Sequence, residues 1–132
     1  MKGFRFERQS RALRVSDGAS ADAVYGDSYL IAGTAILDIG NNVTVTYENM
    51  DFEEGRTYAL LLTGRTELAE NAILLRISGE GAETRQNLVF RGTEGVSEQV
   101  FHVDPPKGRC KVEFIFLPGS RFDLHSFRFE ER

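Results

Sequence analysis

Residues 41–52, NNVTVTYENMDF, constrain the fold more than any other stretch of the chain. Val43, Val45 and Tyr47 alternate with Thr44, Thr46 and Glu48. A period of two places the β-branched and aromatic set on one face of an extended chain and the polar set on the other, so the run reads as a half-buried β-strand ending in an acidic, aromatic turn. The same period recurs in TYALLLTG (57–64), AILLRISG (72–79), QNLVFRG (86–92), EQVFHVD (98–104), CKVEFIFLPG (110–119) and FDLHSFRFEE (122–131). Between them lie turn signals: Pro105 and Pro106 before Gly108, Pro118-Gly119, and the Gly-rich GEGAE and GTEG, which read as hairpin turns. Short strands at this spacing predict an all-β fold, a two-sheet antiparallel β-sandwich of the jelly-roll kind.

Three stretches depart from the pattern. TELAENAILLRI (66–77) has reasonable helix propensity, but Ile73, Leu75 and Ile77 alternate and Gly79 closes the run, which favours a strand in its second half. In the last run Phe122 and Leu124 are even while Phe127 and Phe129 are odd, so a regular strand cannot bury all four. A bulge or a change of sheet near His125 and Ser126 is required. SDGASADAVYGD (16–27) reads as a long irregular loop.

The chain has 132 residues, enough for a single domain over 1–132. Sixteen Lys and Arg against 20 Asp and Glu give a formal charge of −4, with the signs interspersed, so no footprint for nucleic acid or anionic lipid is present. No apolar run approaches the roughly 18 residues of a membrane span, and the first 30 residues lack a signal-peptide core. A soluble chain with no membrane partner is expected, and no compartment is assigned.

Chemistry-bearing residues are sparse. Cys110, the single cysteine, shares parity with Val112, Phe114 and Phe116 and reads as a small buried hydrophobe rather than a thiol nucleophile. His102 and His125 sit in strand patterns without a second metal ligand nearby. Asp51, Glu53 and Glu54 in DFEEG crowd one turn, whereas glycoside hydrolysis needs two carboxyls facing each other across a cleft. Asn42-Val43-Thr44 matches the N-glycosylation triplet, a motif too short to argue from. The chain is therefore expected to be no enzyme by itself, with no catalytic residues, metal or cofactor.

NNVTVTYENMDF followed by EEG, and SRFDLHSFRFEE near the C-terminus, resemble the family 6 carbohydrate-binding modules and their relatives, whose strands run into Y-x-N-V-D-F and end in N-L-D-W-F-x-F phrases. With FRFE (4–7) as a first strand, the similarity spans nearly the whole chain. VYGDSYLI, IGNNVTV, MDF and FIFLPGSRFDL also look like the accessory β-sandwich of bacterial β-galactosidase-type family 2 glycoside hydrolases, the closer match. The resemblance implies a galactose-binding-domain-like jelly roll without catalytic residues, attached to a larger hydrolase whose catalytic domain is its protein partner.

Such modules stack an aromatic ring on a sugar face while amides and carboxylates bind the hydroxyls. The resemblance places Ile36 at the position of the cleft tyrosine, Val96 near that of the opposing tryptophan, and Asp123 at that of the polar asparagine; the chain has no Trp. For the structural calcium of these modules, Glu7 matches one ligand but His125 stands where an aspartate belongs, and imidazole is a poor ligand for so hard a cation. No calcium is expected. Asp123, Arg121 and Tyr29 are the candidate sugar-binding residues. A cleft walled by Tyr25, Tyr29 or Tyr58 would favour binding of an oligo- or polysaccharide. A large apolar patch on one sheet would favour a structural sandwich that docks on the catalytic domain or another subunit and binds no sugar.

Overall fold

In a computed structural model the protein is described over residues 11–132. The strands are β1 (Ser16–Asp17), β2 (Ala23–Tyr25), β3 (Leu30–Ala32), β4 (Ala35–Ile39), β5 (Val43–Phe52) and β6 (Tyr58–Thr66), followed by β7 (Glu70–Gly79), β8 (Ala82–Arg91), β9 (Ser97–Val103), β10 (Gly108–Phe116) and β11 (Phe122–Glu131). They form two antiparallel sheets, one ordered β3-β4-β11-β6-β9 with β1 also on β11, the other ordered β2-β5-β10-β7-β8. This is the two-sheet sandwich that the alternation demands. The expected strand over 4–7, with Glu7, lies outside the described residues.

The core fills the space between the sheets, and aromatic rings dominate it. Tyr47 and Phe114 from one sheet meet Phe127 from the other edge to face, with centroids 4.6 and 5.0 Å away. Phe52 meets Phe129 at 4.9 Å and Phe90 meets Phe122 at 4.9 Å. Edge-to-face contact is the geometry that ring quadrupoles favour, adding about 0.5–1.5 kcal/mol per pair to the burial itself.

The parity conflict in the last strand resolves as a bulge. On β11, Leu124 stands opposite Gly64 and Ser126 opposite Thr63, so His125 is the extra residue. The shift returns Phe127 and Phe129 to the inner face, and both are buried with Phe122 and Leu124. A second bulge was hidden in the opening motif. On β5, Tyr47 pairs with Val112 and Met50 with Cys110, three steps against two. Asn49 takes the step in the left-handed region at φ 60°, which asparagine tolerates better than most residues. Met50 and Phe52 thereby stay buried, and the strand continues through Asp51 and Phe52, where a turn was expected.

A bulge strips peptide groups from the ladder, and buried or half-buried ones need other partners. The segment 16–27 supplies one of them. Asp22 Oδ2 accepts from the Glu48 N–H at 2.7 Å, while Arg11 Nη1 donates to the Glu48 carbonyl at 2.7 Å and to Asp22 Oδ2 at 2.9 Å. Arg11 also donates to the Ser20 carbonyl at 3.2 Å and lies 5.9 Å from the Tyr47 ring centroid. The expectation of an irregular loop is corrected: 16–27 contains β1, a 3-10 turn over Gly18–Ser20 and β2. These strands of two and three residues are too short to show a period.

Most connections cross between sheets. GTEG, expected as a hairpin turn, carries the chain from β8 in one sheet to β9 in the other. GEGAE does close a hairpin, between β7 and β8. Four crossings, 40–42, 67–69, 92–96 and 117–121, gather at one end of the sandwich.

Candidate functional site

At that end the loops enclose a cavity of about 300 Å³ lined by Asp38, Ile39, Gly40, Arg65, Glu67, Ser120, Arg121, Phe122 and Asp123. Its floor is the core, since Ile39 and Phe122 are almost wholly buried. Three carboxylates and two guanidiniums form its walls.

Each wall group is placed by a strand end or a pinned loop. Asp123 and Arg65 face each other across the β11–β6 ladder, their side chains 3.6 Å apart. Asp123 Oδ1 accepts from the Asp38 N–H at 2.9 Å. Two residues beyond Arg65, Glu67 lies 3.9 Å from its guanidinium and 3.3 Å from that of Arg121. The loop bearing Arg121 is fixed from below: Asn71, buried, accepts from the Arg121 N–H at 2.8 Å, and the Thr66 hydroxyl donates to the Arg121 carbonyl at 2.6 Å. Gly64 lets the strands close, because a Cβ there would strike the Phe122 ring and the Asp123 carbonyl.

A wider trough of about 800 Å³ adjoins the cavity and shares Arg65 and Glu67 with it. The β8–β9 connection, Gly92 to Gly95, forms its far wall. Gly92 donates its N–H to the Ala69 carbonyl at 2.8 Å, and a side chain there would collide with the Leu68 carbonyl.

Of the residues singled out from the sequence, Arg121 and Asp123 line the cavity and Tyr29 does not; its ring lies half-buried against the core. Ile36, aligned with a cleft ring, is corrected to the core, with no exposed surface. Val96 is 51% exposed and follows the trough wall directly. Tyr25 stands on the edge strand β2, 70% exposed and away from the cavity, while Tyr58 is buried with its hydroxyl accepting from the Glu53 N–H at 2.8 Å. Among the described residues the one ring in the cavity lining is Phe122, which at 1% exposure is sealed in the floor and offers no face for stacking. Sequence reading missed Arg65, Glu67 and Asp38, whose charges at strand ends look like any solvated face.

Cys110 is buried, and burial, with Asp51 nearby, pushes its thiol pKa up, which opposes thiolate formation. Asp51, Glu53 and Glu54 pair with Arg109, Arg56 and Lys107. Among the described residues no three His, Cys, Asp or Glu side chains gather as a metal site.

The chain matches no protein-family model and no curated protein sequence. Solved structures match its fold closely. A family 6 carbohydrate-binding module studied for its binding sub-sites superposes with a TM-score of 0.77 at 20% identity, covering 92% of this chain and 95% of that one. A family 6 module from Clostridium stercorarium, solved with cellobiose, gives 0.74 at 19% identity, covering 92% and 95%. The exo-β-1,3-galactanase of Phanerochaete chrysosporium, solved with galactose, gives 0.68 at 15% identity, over 89% of this chain but 29% of that one. The fold is therefore that of the family 6 carbohydrate-binding modules.

Proposed function

We propose that the protein is a non-catalytic carbohydrate-binding module whose sugar site is the charged cavity at the crossing-loop end. One observation carries this reading: in a sandwich of the family 6 kind, a floored cavity presents carboxylates and guanidiniums held by strand ends and pinned loops. Carboxylates accept from sugar hydroxyls and guanidiniums donate to them, so the cavity matches an oligo- or polysaccharide end in both senses. Arg121 and Asp123 serve as binding residues there, and Tyr29 supports the neighbouring loop from the core side. The module acts as an accessory domain of a glycoside hydrolase, whose catalytic domain is its protein partner. The galactanase neighbour, in which the similar part is under a third of the chain, supports attachment to a hydrolase. The β-galactosidase type rests on the sequence phrases around residues 24–52 and 114–124.

The test is a chemical-shift titration of the 132-residue chain with galactose, xylose and short β-linked oligosaccharides to high millimolar concentration. Saturable shifts confined to residues 38–40, 65–67 and 120–123 are expected. Silence across the panel would retire the sugar reading in favour of a docking sandwich. A specific feature favours that second reading: Tyr25, Thr44, Ile115 and Leu74 form one row across four adjacent strands on an outer sheet face, and Val89 on the neighbouring β8 is 42% exposed.

A further inference from the structure

Arg65 is held in the cavity without being used. Its guanidinium stands 3.6 Å from Asp123 and 3.9 Å from Glu67, within their attraction but beyond hydrogen-bonding distance. It makes no hydrogen bond to any described residue. Its neighbours are engaged: Arg121 donates to Glu67 at 3.3 Å, and Asp123 accepts from Asp38. Arg65 is also, with Glu67, the wall between the cavity and the trough. A planar fork of donors lies at the junction of two spaces, between two carboxylates, with its donors open.

Resting on the carbohydrate reading above, we propose that Arg65 is the specificity-determining residue of the site. It takes two adjacent hydroxyls on the terminal unit of a neutral oligosaccharide seated in the cavity, and the next unit runs over it into the trough. Each hydroxyl accepts from the guanidinium and donates onward, one to Asp123 and one to Glu67, so the ligand completes the two interactions that the protein leaves open. The cavity lies at the small end of ligand-pocket volumes, with room for one pyranose ring rather than a stretch of chain. The ligand is neutral because the three carboxylates of the lining, Asp38, Glu67 and Asp123, outnumber its two guanidiniums, Arg65 and Arg121, so a uronate would enter a site of net negative charge. With the Phe122 ring sealed in the floor, recognition depends on hydroxyl geometry rather than stacking, and loss of a single hydroxyl partner leaves polar groups unpaired.

The decisive experiment is calorimetric titration of the whole chain with cellotriose, laminaritriose and β-1,4-galactotriose, each beside its counterpart oxidised at C6 of the non-reducing unit. At least one neutral trisaccharide is expected to bind about tenfold tighter than its uronate. Arg65→Met should weaken that binding about tenfold or more, and Arg65→Lys, which keeps the charge but not the fork, should fall between. Glu94→Ala, in the trough wall, should weaken the trisaccharide about threefold and leave unchanged the binding of its constituent monosaccharide, titrated alongside. Melting temperatures of the variants verify that they fold. Saturable binding that Arg65→Met leaves within about twofold, or a preference for the uronate, would overturn the role of Arg65 while keeping the sugar site. Absence of binding by every sugar would overturn the carbohydrate reading itself and this inference with it.

Discussion

Arg11 and Arg65 are both guanidiniums beside an aspartate, and they differ in what is left over. Arg11 donates to the Asp22 carboxylate and to the Glu48 and Ser20 carbonyls, and lies near the Tyr47 ring, with its side chain 23% exposed. Arg65, 41% exposed, touches two carboxylates at 3.6 and 3.9 Å and donates to neither. The first is a structural clamp that closes the peptide groups opened by the β5 bulge. The second is poised. Proximity to a carboxylate says little about an arginine's role; the number of donors left unsatisfied says more.

The largest effect should come from breaking the clamp. Arg11→Met removes three hydrogen bonds and leaves the Glu48 carbonyl of the bulge without its donor, so a loss of about 2–3 kcal/mol is expected in urea unfolding. A loss below about 0.5 kcal/mol would place Arg11 with ordinary surface charges and erase the contrast. Next is the outer-face pair Arg76–Glu113, in which both Nε and Nη2 of Arg76 lie within 2.7 Å of Glu113 Oε1. Glu113 is buried, and Glu113→Ala leaves Arg76 without the carboxylate that both its nitrogens approach. About 1–2 kcal/mol is expected from the same measurement.

Much of this was written in the sequence, and the misses have physical causes. Alternation located β5 through β11 because each is long enough to show a period of two, and the odd-even conflict among Phe122, Leu124, Phe127 and Phe129 exposed the bulge at His125. The same conflict exists between Tyr47 and Met50. It passed unread because the acidic residues after Met50 resemble a turn. Gly and Pro mark where the chain reverses but not which sheet it enters, so the 92–95 crossing looked like a hairpin. At the site, Arg121 and Asp123 were reached through the resemblance. Arg65 and Glu67 carry no local signal, since only the β6–β11 register brings them to the cavity. Ile36 shows the converse error, because an aligned position says nothing about which face of β4 is turned inward.

The clamp also has a pH signature. Burial raises the Asp22 pKa, but the Glu48 N–H and Arg11 outweigh it and hold the carboxyl below its ordinary 3.8. A carboxyl with a depressed folded pKa stabilises above its unfolded value, and that contribution disappears as pH falls through the folded value. Wild type should therefore melt above Asp22→Asn at pH 7, and the gap should narrow below about pH 4. A gap unchanged down to pH 2 would mean that the clamp does not depend on the ionised carboxylate.

The smallest expected effect is the sharpest test of the comparison. Arg65→Met should change unfolding free energy by no more than about 0.5 kcal/mol, because two ion pairs longer than a hydrogen bond, made by a guanidinium open to water, contribute little against solvent and side-chain entropy. The methylene stem of methionine keeps most of the arginine's apolar packing, so charge and donors are what the substitution removes. The like-charged Asp123 and Glu67 then lose the cation between them, but Asp123 keeps its Asp38 N–H and Glu67 keeps Arg121, so neither carboxylate is left without a partner. Stability near wild type would leave ligand affinity as the property for which Arg65 is held in place. A loss above about 1.5 kcal/mol would make it a second strut like Arg11, and the open donors would then be a by-product of folding rather than the working surface of the site.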